Sequence, residues 1–402
     1  MLKRIFSLIC FMGMVACSQS TEQIAVQPLG RADIQTTPAL RAEPCAETDS
    51  FAVQLFSVLA AAQQGNIVFS PASLENVLRL LQQGARGSSA AELAALPMGK
   101  EGVRPAMNPA EASALFISEQ LTLKPGVQAD DVLKAPFATA PHQAAELIND
   151  WSARRTRGLI PSIVSAQDLP PTTALVAANA IYLKEKWLHP FPVRDTRENA
   201  VFTQEDGNTI RVAMMHSKAK YRYAEGANWC AVAIPYKTEG RAGEPGYFIG
   251  ILPKHSPRDY SARDLARDLT PQQYRDICKA LADSTPQDTI VNLPRFELKP
   301  CTFSLKPALQ ACGLTTIFSQ SADFSGFVDL PLYLDDVLQR CYCKADEEGT
   351  TAAAVTVAVV QCKSIPAGPR PNVISFNKPF IWIIGDLNTP AAPYFMGITN
   401  EP

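Results

Sequence analysis

Residues 347–366 read EEGTTAAAVTVAVVQCKSIP. Two acids and a glycine lead into twelve residues, 350–361, that hold no charge, no proline and no glycine. Every second one of them (Thr350, Ala352, Ala354, Thr356, Ala358, Val360) is small or β-branched. Side chains alternate between the two faces of a strand. This run can therefore slide into the middle of a sheet without driving a bulky or charged group into the core. The same run ends at Cys362, Lys363, Ser364 and then Pro366, a sequence suited to exposure before a protease. A segment fit for burial along its length and for cleavage at its end is expected to behave as a spring-loaded loop.

The rest of the chain gives this loop a large body to insert into. At 402 residues with 47% hydrophobic content, one large or two medium domains and a sizeable core are within reach. A net charge of −2 gives no reason to expect nucleic acid as a partner. Thirty-two prolines and 21 glycines favour many strands and turns over a helical bundle.

The N-terminus reads as a targeting segment outside the fold. Lys3 and Arg4 form a positive region, and residues 5–16 an apolar one too short to span a bilayer stably. Met14-Val15-Ala16-Cys17 then resembles the lipobox of bacterial lipoproteins, in which the cysteine is lipidated and becomes the mature N-terminus. The alternative is an ordinary cleaved signal peptide. Residues 18–44 are polar with scattered small residues and read as a flexible tether. The expected division is 1–16 as signal peptide, 17–44 as lipidated Cys17 and tether, and 45–402 as the folded domain.

Within that domain, periodic apolar residues after Asp49-Ser50 predict a helix, and Asn66-Ile67-Val68-Phe69 a short strand. Ser70 is placed to cap the next helix with Pro71 in its first turn. Ser88 or Ser89 with Glu92 suggests a capping box for a further helix. Charges over 258–268 are expected to solvate one helical face. Apolar strands are expected near 114–118, 173–183, 229–236, 247–252, 289–298, 333–344, 380–384 and 394–398. Helices come mostly early and strands mostly late, with no internal repeat, which points to an α+β fold in one domain.

Catalytic and metal-binding patterns are lacking. The four histidines (142, 189, 216 and 255) are not in HExxH or zinc-finger spacing, and GxSxG, GxxxxGK[ST] and GxGxxG do not occur. His189 and His216 read as structural or surface residues, and Arg154, Arg155 and Arg157 as a solvated helix end. No enzyme, metal or cofactor is expected. Beyond Cys10 and Cys17 the chain carries Cys45, Cys230, Cys278, Cys301, Cys312, Cys341, Cys343 and Cys362. Outside the cytoplasm these can pair, in too many ways for a bridge to be assigned, or can remain buried thiols.

Taken in order, several stretches resemble the serpin family from about residue 48 to the C-terminus. NIVFSPASLENVLRLLQQGARGSSAAEL resembles its strand-to-helix signature, INDWSARRTRGLI its helix F, and AANAIYLKEKWLHPF its NAIYFKGxWxxxF stretch. AVAIPYK, GILP, LPRFEL, ADFSG, FNKPFIWII and YFMGITNEP follow in the family's order. The resemblance implies three β-sheets, about nine helices and an exposed reactive-centre loop.

It also implies a function: a suicide substrate for serine proteases. A protease cuts the loop and forms an acyl-enzyme. The cut loop then inserts as a new central strand and drags the protease with it. The family's hinge pattern falls on Glu347, Gly349, Thr350, Ala352, Ala353 and Ala354. The scissile bond then lies between Lys363 (P1) and Ser364, with Cys362 at P2 either as a small filler or as a redox-sensitive gate. The shutter residues are Ser70, Ser73, Asn179 and Gln339, where Gln339 stands in place of the usual histidine. At the breach lie Trp187, Arg295 and Glu347, with Arg295 replacing the usual lysine as partner for Glu347.

Trypsin- or plasmin-like proteases are the implied partners, and Lys-specific cysteine proteases the alternative targets. A non-inhibitory binding or scaffold protein is the other reading. The expected protein is an exported monomer, held through lipid on a bacterial membrane facing the periplasm or the surroundings.

Overall fold

The computed structural model describes residues 5–11, 50–98, 107, 110–238, 245–256, 258–298, 302–350, 370–390 and 392–402. Strand β1 (Ile5–Phe11) comes first, then helix α1 (Phe51–Ala62), whose N-cap Ser50 makes no side-chain capping bond. Strand β2 (Ile67–Phe69) runs into α2 (Pro71–Gly84). There the Ser70 hydroxyl accepts from the Ser73 amide, and Pro71 fills a first turn that needs no N–H.

Helix α3 (Gly87–Ala94) departs from the expected capping box. It starts at Gly87 with Arg86 as N-cap, so Ser88 and Ser89 already lie inside its first turn. Glu92 is released to reach across the fold, where it accepts from the amides of Thr315 and Thr316 at 3.0 and 2.8 Å. Those amides start a short 3-10 turn, Thr316–Phe318. Burial pushes the Glu92 carboxyl up, but the Thr316 hydroxyl and amide, the Thr315 hydroxyl and the Ile317 amide outweigh it and hold the group below its ordinary range.

Strands β3 (Ala110–Ser118) and β4 (Asp131–Ala135), helix α4 (Pro141–Arg155), and strands β5 (Leu175–Tyr182) and β6 (Glu185–Lys186) follow. A hairpin of β7 (Arg197–Thr203) and the long β8 (Thr209–Glu225) was not foreseen from sequence. Next come β9 (Trp229–Pro235), β10 (Tyr247–Pro253), α5 (Ala262–Arg267) and α6 (Pro271–Asp283). The chain continues through β11 (Gln287–Pro294), β12 (Phe296–Leu298), β13 (Thr302–Ser304) and α7 (Lys306–Ala311). It closes with β14 (Leu334–Arg340), β15 (Cys343–Ala345), β16 (Gly349–Thr350), β17 (Asn372–Ser375), β18 (Phe380–Gly385) and β19 (Phe395–Thr399).

The fold is α+β with three sheets, and seven α-helices among the described residues. One charged residue departs from the expectation of simple solvation. Arg263 on α5 is buried, and its guanidinium donates to the carbonyls of Gln63 and Gly65 and to Glu205. An arginine so placed ties the end of α1 to α5, because its planar fork can satisfy several acceptors at once.

Nine strands form the largest sheet, in the order β17-β11-β8-β9-β10-β18-β19-β2 with β7 added on β8. Its centre is wholly apolar: β10 and β18 are buried along their full length. Trp382 stacks on Phe248 there, with centroids 6.2 Å apart, and lies tilted against Phe296 of β12 at 6.0 Å.

The other two sheets define the region of interest. One runs β13-β14-β1-β5-β3-β4, the other β12-β15-β16-β6. Only two residues separate β5 from β6, and two separate β14 from β15. The sheets are therefore the lower and upper ends of one pair of long strands, with a gap between them. At the lower end β1 fills the gap, parallel to both neighbours; at the upper end β16 fills it, antiparallel to both. The apolar segment expected to be only a leader is thus a central strand here. An uncharged run without proline or glycine can satisfy two otherwise open ladder edges at once.

Candidate functional site

At the upper end, the chain turns after β15 and comes back as β16. Ala345 pairs with Thr350, while Gly349 and Thr350 pair with Lys186 and Glu185. A Cβ on Gly349 would sit 2.1 Å from the Glu185 carbonyl oxygen, so only glycine lets the two backbones approach this closely. Thr350 is buried, and its hydroxyl meets that of Tyr236 at 2.7 Å. The Tyr236 ring in turn stacks on Trp187 with centroids 4.9 Å apart. The Trp187 indole donates to the Asp346 carbonyl at 2.8 Å, and its backbone amide to the Glu348 carbonyl at 2.9 Å.

Glu347 is the charged point of this turn. Arg295 grips it with two bonds, 3.2 Å from Nε and 2.6 Å from Nη2, and Thr196 donates to the same carboxylate at 2.8 Å. Burial works to raise the Glu347 carboxyl, but these donors outweigh it and hold the group below the usual glutamate range. Its neighbour Asp346 goes the other way, because burial there exceeds what its hydrogen bonds and Lys344 return.

At the lower end, a neutral network lies behind the gap. Gln339 bonds Ser70 twice: its Oε1 accepts from the Ser70 amide at 3.1 Å, and its Nε2 donates to the Ser70 carbonyl at 3.0 Å. The Ser70 hydroxyl donates to the Tyr394 carbonyl at 2.7 Å. Ser73 donates to Asn179 Oδ1 at 2.7 Å, and Asn179 Nδ2 donates to Ser113 at 3.0 Å. Ser70, Ser73, Asn179 and Gln339 are all fully buried. Helix α2 is thereby fastened separately to β14 through Gln339 and to β5 through Asn179.

The residues expected at the hinge turn, shutter and breach thus come together around one gap: Glu347, Gly349 and Thr350, then Ser70, Ser73, Asn179 and Gln339, then Trp187 and Arg295. Ala352, Ala353, Ala354, Cys362, Lys363, Ser364 and the lipidation candidate Cys17 lie outside the described residues. Four participants were not foreseen: Tyr236, Thr196, Ser113 and the Tyr394 carbonyl. Ser113 had only a weak signal, a small hydroxyl between Ala112 and Ala114 in β3. Tyr236 lay within the AVAIPYK stretch, but nothing local said what its hydroxyl would meet.

Chemically this arrangement is built to hold or admit a strand. Among the described residues no cluster of His, Cys, Asp or Glu could hold a metal ion. Cys230, Cys278, Cys312 and Cys343 are free thiols, and burial pushes Cys278 up to about 12 and Cys312 to about 11. Such thiols stay protonated and unreactive.

A family profile described as Serpin (serine protease inhibitor) matches residues 46–402. Serpin B8 of Homo sapiens is 28% identical over 372 residues, covering 85% of this chain and 94% of that protein. An uncharacterized serpin-like protein of Thermococcus kodakarensis is 30% identical over 380 residues, covering 88% and 84%. Among solved structures, Manduca sexta serine protease inhibitor (serpin)-12 aligns with a TM-score of 0.71 at 25% identity, covering 89% of this chain and 98% of the other.

Proposed function

Because the chain belongs to the serpin family, we propose that it inhibits proteases as a suicide substrate cut between Lys363 and Ser364. The observation that carries this reading is β16. The first loop residues, Gly349 and Thr350, already occupy the upper gap as an antiparallel strand, with Thr350 pointing into the core. If the same register ran on, Thr356 would fall between Asn179 and Gln339, on the same inward face as Thr350. Every inward position from 350 to 360 is then small or β-branched. Nothing in the sequence would stall the strand as it enters.

In the proposed reaction the protease's nucleophile attacks the Lys363 carbonyl. The bond to Ser364 breaks, and the Ser364 amine leaves with a proton. The new carboxyl end stays esterified to the protease. Before cleavage the loop is tethered at both ends and cannot complete the strand. After cleavage, new ladder hydrogen bonds and the burial of alternate side chains drive it in. A lysine at P1 suits an anionic specificity pocket, so trypsin-like serine proteases are the preferred class of target. The lipobox-like residues 14–17 support a form exported and anchored through Cys17 on a bacterial membrane.

The test is to incubate the processed chain, beginning at Cys17, with trypsin and to run a denaturing gel. A gel-stable complex, with a released fragment that starts at Ser364, is the expected result. Complete cleavage with the protease fully active afterwards would sink the inhibitor reading in favour of a non-inhibitory serpin.

A further inference from the structure

The strand β1 is a segment that nothing in the proposed inhibitory cycle uses, yet it stands in the place that cycle needs. Its register is set on both sides: Ile9, Cys10 and Phe11 lie opposite Ala178, Asn179 and Ala180 of β5. Across the gap, the same three residues lie opposite Leu338, Gln339 and Arg340 of β14, and Ile5 lies opposite Leu334.

The position claimed by the loop can be compared residue by residue. Extending the pairing of Thr350 with Ala345 brings residue 356 opposite Gln339. Extending the pairing of Thr350 with Glu185 brings the same residue opposite Asn179. The two registers agree, and both give Thr356 the place that Cys10 now holds. Residue 355 falls on the place of Phe11, 357 on that of Ile9, and 361 on that of Ile5. Two strands cannot share one pair of ladder edges, so the occupations are mutually exclusive.

We propose that residues 5–11 act as an internal plug, so that the full-length chain cannot complete loop insertion until its leader is removed. This rests on the inhibitor reading above and adds a control to it. The plug runs IFSLICF, free of charge, proline and glycine, which is the same compositional rule that fits residues 350–361 for a central strand. It lies in the parallel sense, which is slightly weaker per residue than the antiparallel pairing the loop would make. Cutting before Cys17, the position marked by the lipobox-like residues, would separate residues 1–16 from the body. The gap would then be left to the loop. Processing and arming become one event, and a chain still carrying its leader does not trap a protease that cuts it.

The experiment uses the full-length chain from cell-free synthesis, with residues 1–16 verified by mass, beside full-length Ile9→Pro and Ile9→Val. Proline at position 9 removes a ladder donor between both neighbours, whereas valine keeps strand preference. The first readout needs no protease: uptake of a synthetic peptide, TAAAVTVAVVQ (residues 351–361), followed by native gel. Ile9→Pro is expected to take up the peptide while the wild type and Ile9→Val exclude it. Equal uptake by all three overturns the plug.

The second readout is the gel-stable complex with trypsin. Its yield is expected to rise about tenfold or more in Ile9→Pro, in proportion to the fraction of molecules with a free gap. If the peptide contrast holds but neither Ile9→Pro nor the processed chain traps trypsin, the inhibitor reading fails and the plug stands. Hydrogen exchange on the unmutated full-length chain covers the case of a misfolded variant. Protected amides over residues 6–11 support the plug, and exchange at the rate of an unstructured peptide overturns it.

Discussion

The upper and lower ends of the gap are closed by different chemistry. At the upper end, a charged pair and an aromatic stack hold the turn that precedes β16. The Arg295 side chain is 37% exposed, so water and salt reach the pair and its contacts can be exchanged. At the lower end, Ser70, Ser73, Asn179 and Gln339 form a buried, uncharged set. Breaking a link there costs more than at the entrance, because a buried polar group cannot turn to water instead. In the proposed mechanism a loop would enter where contacts are replaceable, with the resistance to opening further down. The upper end would then select what may enter, and the lower end would set how readily the strands part.

The largest effect should come from the entrance. Thr350→Arg would force a long cation into the filled space where the Thr350 hydroxyl meets Tyr236 beside Trp187. Desolvating that charge and overfilling the site costs several kcal/mol, and about 3 kcal/mol taken from seating this end of the loop corresponds to a loss of roughly a hundredfold. Trypsin should then cut the processed variant and walk away, which the yield of gel-stable complex reads directly. An undiminished yield would mean that inhibition does not need Thr350 in the buried place it holds in β16.

Two further substitutions set the ends of the gap against each other. Gln339→Ala orphans the Ser70 amide and takes one of two donors from the Ser70 carbonyl, which keeps the Leu74 amide, and should lower folding stability by about 1–3 kcal/mol. Arg295→Met removes a half-exposed charge and should cost about 1 kcal/mol. Urea midpoints for the two variants decide the matter. If Arg295→Met proves the more costly, the resistance lies at the entrance and the contrast drawn above is reversed.

Much of this site was legible in the sequence because several of its parts are local. The Ser70 cap and Pro71 need only one turn of helix, and Gly349 and Thr350 only the start of a strand; the alternation beyond them lies outside the described residues. Arg295 and Glu347 were paired through the family's pattern, and they do meet. What sequence could not supply was the meeting of distant hydroxyls and carbonyls: Tyr236 with Thr350, Thr196 with Glu347, Ser70 with Tyr394. Each depends on which strands become neighbours, and no local period encodes that. The capping box failed for a related reason. Ser89 and Glu92 have the right spacing, but Glu92 found better donors 223 residues away at Thr315. Likewise residues 5–11 look like a leader by composition, and the same composition makes them a competent strand wherever a gap is open.

The smallest effect is a pH dependence that only the upper end should show. Glu347 is held below the ordinary glutamate value of 4.5, burial notwithstanding, by Arg295 and Thr196. A carboxyl lowered in the folded state adds stability that is full above its unfolded value and is lost as pH falls through the folded one. Asp346 beside it is raised by burial. Its contribution has the opposite sign, present at low pH and lost as pH rises through its folded value. Comparing wild type with Glu347→Gln leaves Asp346 in both chains; the Glu347 charge is only the last of the causes acting on Asp346, so the difference reports mainly the lowered group. The stability gap between them should be at most about 1 kcal/mol near pH 7, given the exposure of Arg295. It should close as the medium is taken below pH 4.5, and shrink in molar salt at neutral pH. The deficit of Gln339→Ala, resting on neutral buried bonds, should respond to neither. A Glu347→Gln deficit that persisted unchanged in acid would show that the carboxylate's charge is not what holds the entrance.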